Sequence, residues 1–92
     1  MTQEEIQTQI KSLHDWIHQD PYLKKEFLFK DFTEAFSFMT AIALVCEKMD
    51  HHPDWSNSWN RVQISLTTHD KKSITDKDFQ LARKIDQIYK RQ

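Results

Sequence analysis

Apolar residues recur at Ile6, Ile10, Leu13 and Ile17. These steps of three and four predict a first helix running from Thr2 towards Trp16. Glu4 and Glu5 lie near its start, where the helix dipole favours negative charge. Trp16 stands at a junction, able to end this helix or to begin a short strand. Asp20-Pro21 is a turn signal. From Tyr22 to Lys30, Leu23, Phe27 and Phe29 share one parity, and Lys24, Glu26 and Lys30 share the other. That pattern predicts a strand with one buried face. Lys25 breaks the apolar parity and is expected near the strand's exposed end. Asp31-Phe32-Thr33-Glu34 then reads as an acidic capping box. It opens a long helix reaching to about Asp50, with an apolar stripe of Phe32, Ala35, Phe36, Met39, Ile42, Ala43, Cys46 and Met49. Phe38, Leu44 and Val45 broaden that stripe. A helix apolar over so much of its circumference is expected to face both a sheet and a second surface, which a partner subunit could supply.

The second half is mostly strand-like at first. Trp55, Asn57 and Trp59 share one face, and Ser56, Ser58 and Asn60 the other. Val62, Ile64 and Leu66 alternate with Arg61, Gln63, Ser65 and Thr67, which marks a half-buried strand. His69 falls on the polar parity, which argues against a merely packed core histidine. Thr75-Asp76-Lys77-Asp78 is a second acidic capping box, and Phe79, Ala82, Ile85, Ile88 and Tyr89 give the last helix its apolar stripe. Lys84, Lys90 and Arg91 lie towards its C-terminal end, where the dipole favours cations. The order is helix, short strand, strand, long helix, strand, strand, helix. It predicts an α+β fold with the helices on one face of an antiparallel sheet.

Composition narrows the function classes. At 92 residues the chain is expected to be a single domain, 1–92. The 13 basic residues balance 14 acidic ones, so no basic excess marks a nucleic-acid surface. No lysine-rich amphipathic stretch suits a membrane surface. The longest clean apolar run, Ala41 to Cys46, is far too short to span a bilayer. The start lacks the basic and apolar regions of a signal peptide, and the lone Cys46 fits a reducing compartment. The expectation is a soluble, cytoplasmic protein. Glycine is absent altogether, which excludes the Walker loop and the Rossmann fingerprint. Left-handed turns must then use Asn or Asp. Asn57, Asn60, Asp54 and Asp70 are the expected positions.

The chemistry concentrates between Glu47 and Asp78. His51 and His52 follow the long helix and are stopped by Pro53, which pushes His52 towards an extended conformation. The two rings are therefore expected to point in different directions. An exposed histidine at a helix end also suits the dipole by itself, but three histidines interleaved with acids and tryptophans favour a site. With an ordinary pKa near 6.5, one ring can act as acid and another as base at neutral pH. Such a pair can carry an elimination by proton transfer, which requires no metal or redox cofactor. Trp55 or Trp59 could supply an apolar wall for a flat substrate. A zinc site from His51, His52 and His69 with Cys46 or Glu47 is less favoured, because adjacent histidines rarely converge on one tetrahedral ion. Cys46 sits within an apolar stripe, which disfavours a nucleophilic role. Asp78 has a competing role as a helix cap.

The spacing Glu47-x3-His51-His52-Pro53-x5-Trp59-x9-His69-x8-Asp78 resembles the signature of the pterin-4a-carbinolamine (4a-hydroxytetrahydrobiopterin) dehydratases. Phe29-Lys30-Asp31-Phe32, Ala35-Phe36, Phe38-Met39 and Thr68-His69-Asp70 resemble the family as well, and the likeness spans Trp16 to Ile88. It implies a four-stranded antiparallel sheet, a strand beginning near Trp16, and a homodimer or homotetramer. It implies dehydration of 4a-hydroxytetrahydropterin to quinonoid dihydropterin, which recycles the cofactor of aromatic amino acid hydroxylases. By motif match, the catalytic pocket would be built around His51, His52 and His69. Asp50, His51, His52 and Pro53 would border the pterin on one side, and Thr67, Thr68, His69 and Asp70 on the other. Glu47 and Asp78 would orient or shape the site. One departure is Lys71-Lys72-Ser73, where the family commonly has a glycine-containing turn. A different class of role is a protein-binding module that stabilises a transcription-factor dimer; a third is another pterin pathway, such as molybdopterin metabolism. The intact His-His-Pro and Thr-His-Asp segments favour the enzyme.

Overall fold

The computed structural model describes residues 1–91. Its elements are α1 (Gln3–Ile10), β1 (Ile17–Gln19), β2 (Tyr22–Leu28), α2 (Phe32–Met49), β3 (Asp54–Ser58), β4 (Arg61–Leu66) and α3 (Asp76–Lys90). The four strands form one antiparallel sheet in the order β1-β2-β4-β3. The fold is α+β, as the pattern predicts. Leu23, Phe27, Val62, Ile64 and Leu66 are buried beneath Phe38, Ile42, Phe79, Leu81 and Ile85 of α2 and α3. The opposite parity, including Glu26, Leu28, Arg61 and Gln63, is exposed. Thus one face of the sheet carries the helices.

Each helix starts where its cap dictates. Thr2 and Thr75 both form full capping boxes, with Glu5 and Asp78, and Asp31 caps α2 by accepting from the Glu34 N–H. Each such cap satisfies an otherwise orphan amide. An aromatic cluster then locks α2 and α3 onto the sheet. Phe27 and Phe38 lie 5.0 Å apart between ring centres, Phe29 and Phe38 4.9 Å, and Tyr89 meets Phe27 edge-on at 4.9 Å.

Four local expectations need correction. First, α1 ends at Ile10, and Asp15 takes a left-handed φ of 64°. Ile17 therefore belongs to β1, paired with Lys24, and is exposed rather than part of a helical stripe. Second, the core face of α2 is Ala35, Phe38, Ile42 and Cys46, flanked by Met39, Val45 and Met49. Phe32, Phe36 and Leu44 are exposed. Apolar residues on nearly every side of this helix left its phase undetermined, and the Phe27–Phe38–Tyr89 contacts set it.

Third, Lys25 does not lie at an exposed end. It keeps the inward parity, with its ammonium 2.9 Å from Asp86 Oδ1 and 4.9 Å from the centre of the Phe27 ring. Trp16 Nε1 donates to both oxygens of the same carboxylate. A buried lysine is tolerated because its charge is paired and hydrogen-bonded. Fourth, the left-handed residues among those described are Asp15, Asp50, Trp59 and Lys72, none of the four expected, and Trp59 and Lys72 are neither Asn nor Asp. At Trp59 the hairpin turn is braced by Asn57, whose side-chain amide donates to the carbonyls of Trp59 and Arg61. Asn57 supports the turn from outside it.

Candidate active site

The site begins where α2 stops. Asp50 takes the left-handed conformation (φ 53°), and its N–H donates to the carbonyls of Cys46 and Glu47. The His51 N–H donates to Cys46 O at 3.1 Å. Such a left-handed cap satisfies the last carbonyls of the helix and turns the chain sharply. Glycine usually fills this position; aspartate is among the residues that tolerate it. The turn sends His51 inward, leaving it 7% exposed.

There its Nε2 lies 2.6 Å from Asp78 Oδ1. Asp78 is fully buried at the first turn of α3. Its other oxygen, Oδ2, accepts from the Thr68 hydroxyl and from the Thr75 N–H, both at 2.9 Å. Thr68 and Thr75 hydroxyls are themselves 2.6 Å apart. Asp78 is therefore both the helix cap and the partner of His51. It ties the end of α2, the end of β4 and the start of α3 into one buried polar network.

His52 points elsewhere, as Pro53 implies. Its side chain is 52% exposed, and its Nε2 is 2.9 Å from Glu47 Oε1 on the last turn of α2. His69 lies beyond the end of β4, 57% exposed, with Nε2 3.0 Å from Asp54 Oδ2 at the start of β3. Asp54 immediately follows the His51-His52-Pro53 segment, and Thr68 immediately precedes His69. The Asp54–His69 and Thr68–Asp78–His51 contacts thus bring the two motif segments together.

All three rings engage a carboxylate through the same nitrogen. An ionised carboxylate only accepts hydrogen bonds, so each Nε2 carries the proton. A neutral ring then has its lone pair on Nδ1, and a protonated ring presents Nδ1–H. Each histidine can therefore act as base or acid through Nδ1. Cys46 is buried in the core, and burial pushes its thiol up to about 11. It stays a neutral thiol at physiological pH, unsuited to nucleophilic attack. Among the described residues no three His, Cys, Asp or Glu side chains converge as a metal site.

The remaining candidates divide. Asp50 and Asp70 are exposed, and Pro53 is half-buried, beside the histidines in sequence. Thr67 and Thr68 are buried. Thr68 has its N–H on Ser73 O, its carbonyl accepting from the Lys71 N–H and its hydroxyl in the Asp78 network, so all its polar groups are engaged internally. Trp55 is half-buried against the core, opposite Ile64. Trp59 is 65% exposed in the β3–β4 turn. It stands at the far end of β3 from Asp54, roughly 17 Å away along a strand rising about 3.3 Å per residue. Within one chain Trp59 does not join the histidines. Two participants were missed in the sequence, Asp54 and Thr75. Asp54 carried a usable signal: it lies opposite Ser65 on the polar face, the parity that also includes His69.

The glycine-free turn after His69 closes by Lys72 taking a φ of 53°. A left-handed residue with a Cβ costs roughly 1–2 kcal/mol, part of which glycine returns through its greater freedom in the unfolded chain. Lys72→Gly is expected to raise stability by about 1 kcal/mol. Urea unfolding checks this; an unchanged or lower midpoint would contradict the strain.

Comparison with known proteins is concordant. The family profile described as pterin 4 alpha carbinolamine dehydratase matches residues 1–88. A provisionally named pterin-4-alpha-carbinolamine dehydratase of Synechococcus sp. (strain WH7803) is 50% identical over 88 residues, 96% of this chain and 95% of the relative. One with the same provisional name from Prochlorococcus marinus (strain NATL2A) is 55% identical over 73 residues, 79% of this chain and 77% of the relative. The crystal structure of a transcriptional coactivator/pterin dehydratase from Brucella melitensis superposes with a TM-score of 0.94 at 40% identity, covering 97% of each chain. A pterin dehydratase-like protein identified as a RuBisCO assembly factor in the alpha-carboxysome shares the fold, with a TM-score of 0.71 at 23% identity, over 83% of this chain and 90% of its own.

Proposed function

Because this chain belongs to the pterin 4 alpha carbinolamine dehydratase family, we propose that it dehydrates 4a-hydroxytetrahydropterin to quinonoid dihydropterin and water. The observation that carries this reading is the group of three histidines, each with Nε2 on a carboxylate and Nδ1 left for proton transfer. One neutral ring takes the proton from the ring nitrogen next to the carbinol carbon. A second, protonated ring delivers a proton to the departing hydroxyl. The C–O bond breaks, a C=N bond forms and water leaves, with no net redox change. The product feeds recycling of the cofactor of aromatic amino acid hydroxylases in the cytoplasm.

In this reading His51, His52 and His69 are the catalytic residues, and Asp50, Pro53, Thr67 and Asp70 border the pterin. Trp55 offers the apolar wall. Glu47 and Asp78 orient His52 and His51. Thr68, with its polar groups already engaged, acts by holding Asp78 rather than by touching substrate. The exposed Phe32, Phe36 and Leu44 of α2 support self-association into a homodimer or homotetramer.

The test is the absorbance time course of freshly generated 4a-hydroxytetrahydropterin with and without the protein. Faster loss, with quinonoid dihydropterin formed, is the expected result. No acceleration by correctly folded protein would leave the second reading, a protein-binding module. That reading is favoured by the same exposed face of α2 and by the coactivator named in the Brucella melitensis structure's description.

A further inference from the structure

His69 differs from His51 in how it is held. His51 is enclosed by the core and by the Asp78 network, so packing alone restricts its ring. His69 is more than half exposed, on a turn outside the sheet, and an exposed ring samples several rotamers unless it is tethered. Among the described residues the ring has one hydrogen-bond partner, Asp54, at 3.0 Å. Asp54 is mounted on a rigid element: it opens β3, is preceded by Pro53 and pairs with Ser65 of β4. The remaining charged groups of the two adjoining segments are His51, His52, Asp70, Lys71 and Lys72, and none of them hydrogen-bonds this ring.

We propose that Asp54 is a positioning residue for His69: its carboxylate accepts a hydrogen bond from Nε2–H and thereby aims Nδ1 at the reacting pterin. This rests on the dehydratase reading for its consequence, but not for its geometry. The sheet-borne acid supplies what burial supplies for His51, a fixed ring direction and a fixed proton position. Proton transfer depends steeply on such alignment, because a displacement of about 1 Å can cost on the order of 10²-fold in rate. A carboxylate on a longer side chain at the same position could still reach the ring, whereas alanine could not.

The experiment compares the parent protein with Asp54→Ala and Asp54→Glu. The first readout is the His69 Nε2–H resonance in protein with nitrogen-15-labelled histidine, which needs no substrate. It is expected to be resolved and protected from exchange in the parent, lost in Asp54→Ala and regained in Asp54→Glu. The second readout is kinetic. Asp54→Ala is expected to lower kcat by roughly 10- to 100-fold with KM little changed, and Asp54→Glu to recover most of it. An identical His69 signal in Asp54→Ala and the parent overturns the proposal, as does an unchanged kcat in an active enzyme. If the parent shows no dehydratase activity while the signal behaves as expected, the functional reading fails and the tether stands.

Discussion

Replacing His69 by alanine is expected to lower the dehydration rate by roughly 10²-fold or more, the usual contribution of a positioned acid or base, with the fold intact. The separation of the two effects follows from exposure. The ring packs into no core, and among the described residues its one hydrogen bond is to Asp54, which is also more than half exposed. Exposed ion pairs of this kind contribute about 0–1 kcal/mol. The backbone bond that closes the turn, Lys72 N–H to His69 O, does not depend on the side chain. A thermal melt within a few degrees of the parent, beside a single-turnover time course slowed by orders of magnitude, is the expected pair of observations. Parent-like turnover in His69→Ala would remove this histidine from the mechanism.

Asp78→Ala is expected to do the reverse, damaging stability first. The substitution leaves two buried donors, His51 Nε2 and the Thr68 hydroxyl, and the part-buried Thr75 N–H without their acceptor. It also removes half of the α3 capping box. Breaking a buried network of this kind costs about 3 kcal/mol. For a domain of this size that lowers Tm by more than about 10 °C. Urea unfolding and a thermal melt measure it. Turnover should fall as well, because His51 loses the group that orients it. Asp78→Asn separates the contributions. Its amide oxygen can still accept from one side, while its NH2 group faces another donor, so a smaller loss is expected. A stability change below about 0.5 kcal/mol in Asp78→Ala, the level of an ordinary surface substitution, would mean the network holds nothing together.

The family signature and the fold class were both legible because each depends on local pattern. Alternation along Arg61–Leu66 and the three- and four-residue steps of α3 state which face is buried, and the caps read at Asp31 and Thr75 state where α2 and α3 begin. The phase of α2 was not legible. Phe32, Phe36, Phe38, Ile42 and Leu44 cover so much of the helix that periodicity cannot choose between faces. Lys25 was misplaced for a related reason. A lysine at an inward position reads as an interruption until Asp86 and Trp16, more than sixty and about ten residues away in sequence, close around it.

The left-handed turns show the same division. Asparagine and aspartate tolerate positive φ, but tolerance does not locate the turn. Trp59 and Lys72 adopt it because the β3–β4 register and the Thr68–Ser73 bridge leave their positions no alternative. At the site, the sequence alone determined that His51, His52, His69 and Asp78 occur at element ends within one motif. It also determined that Pro53 would split the two adjacent rings. Only the tertiary structure decided which carboxylate each ring meets, Asp78 for His51, Glu47 for His52 and Asp54 for His69, and that Trp59 lies a strand's length away. The reason is physical. Side-chain type and local period fix what a residue can do and which way it faces, whereas a hydrogen bond needs two atoms within about 3 Å. Only the packing of helices on sheet brings residues 15 or 27 positions apart to that distance.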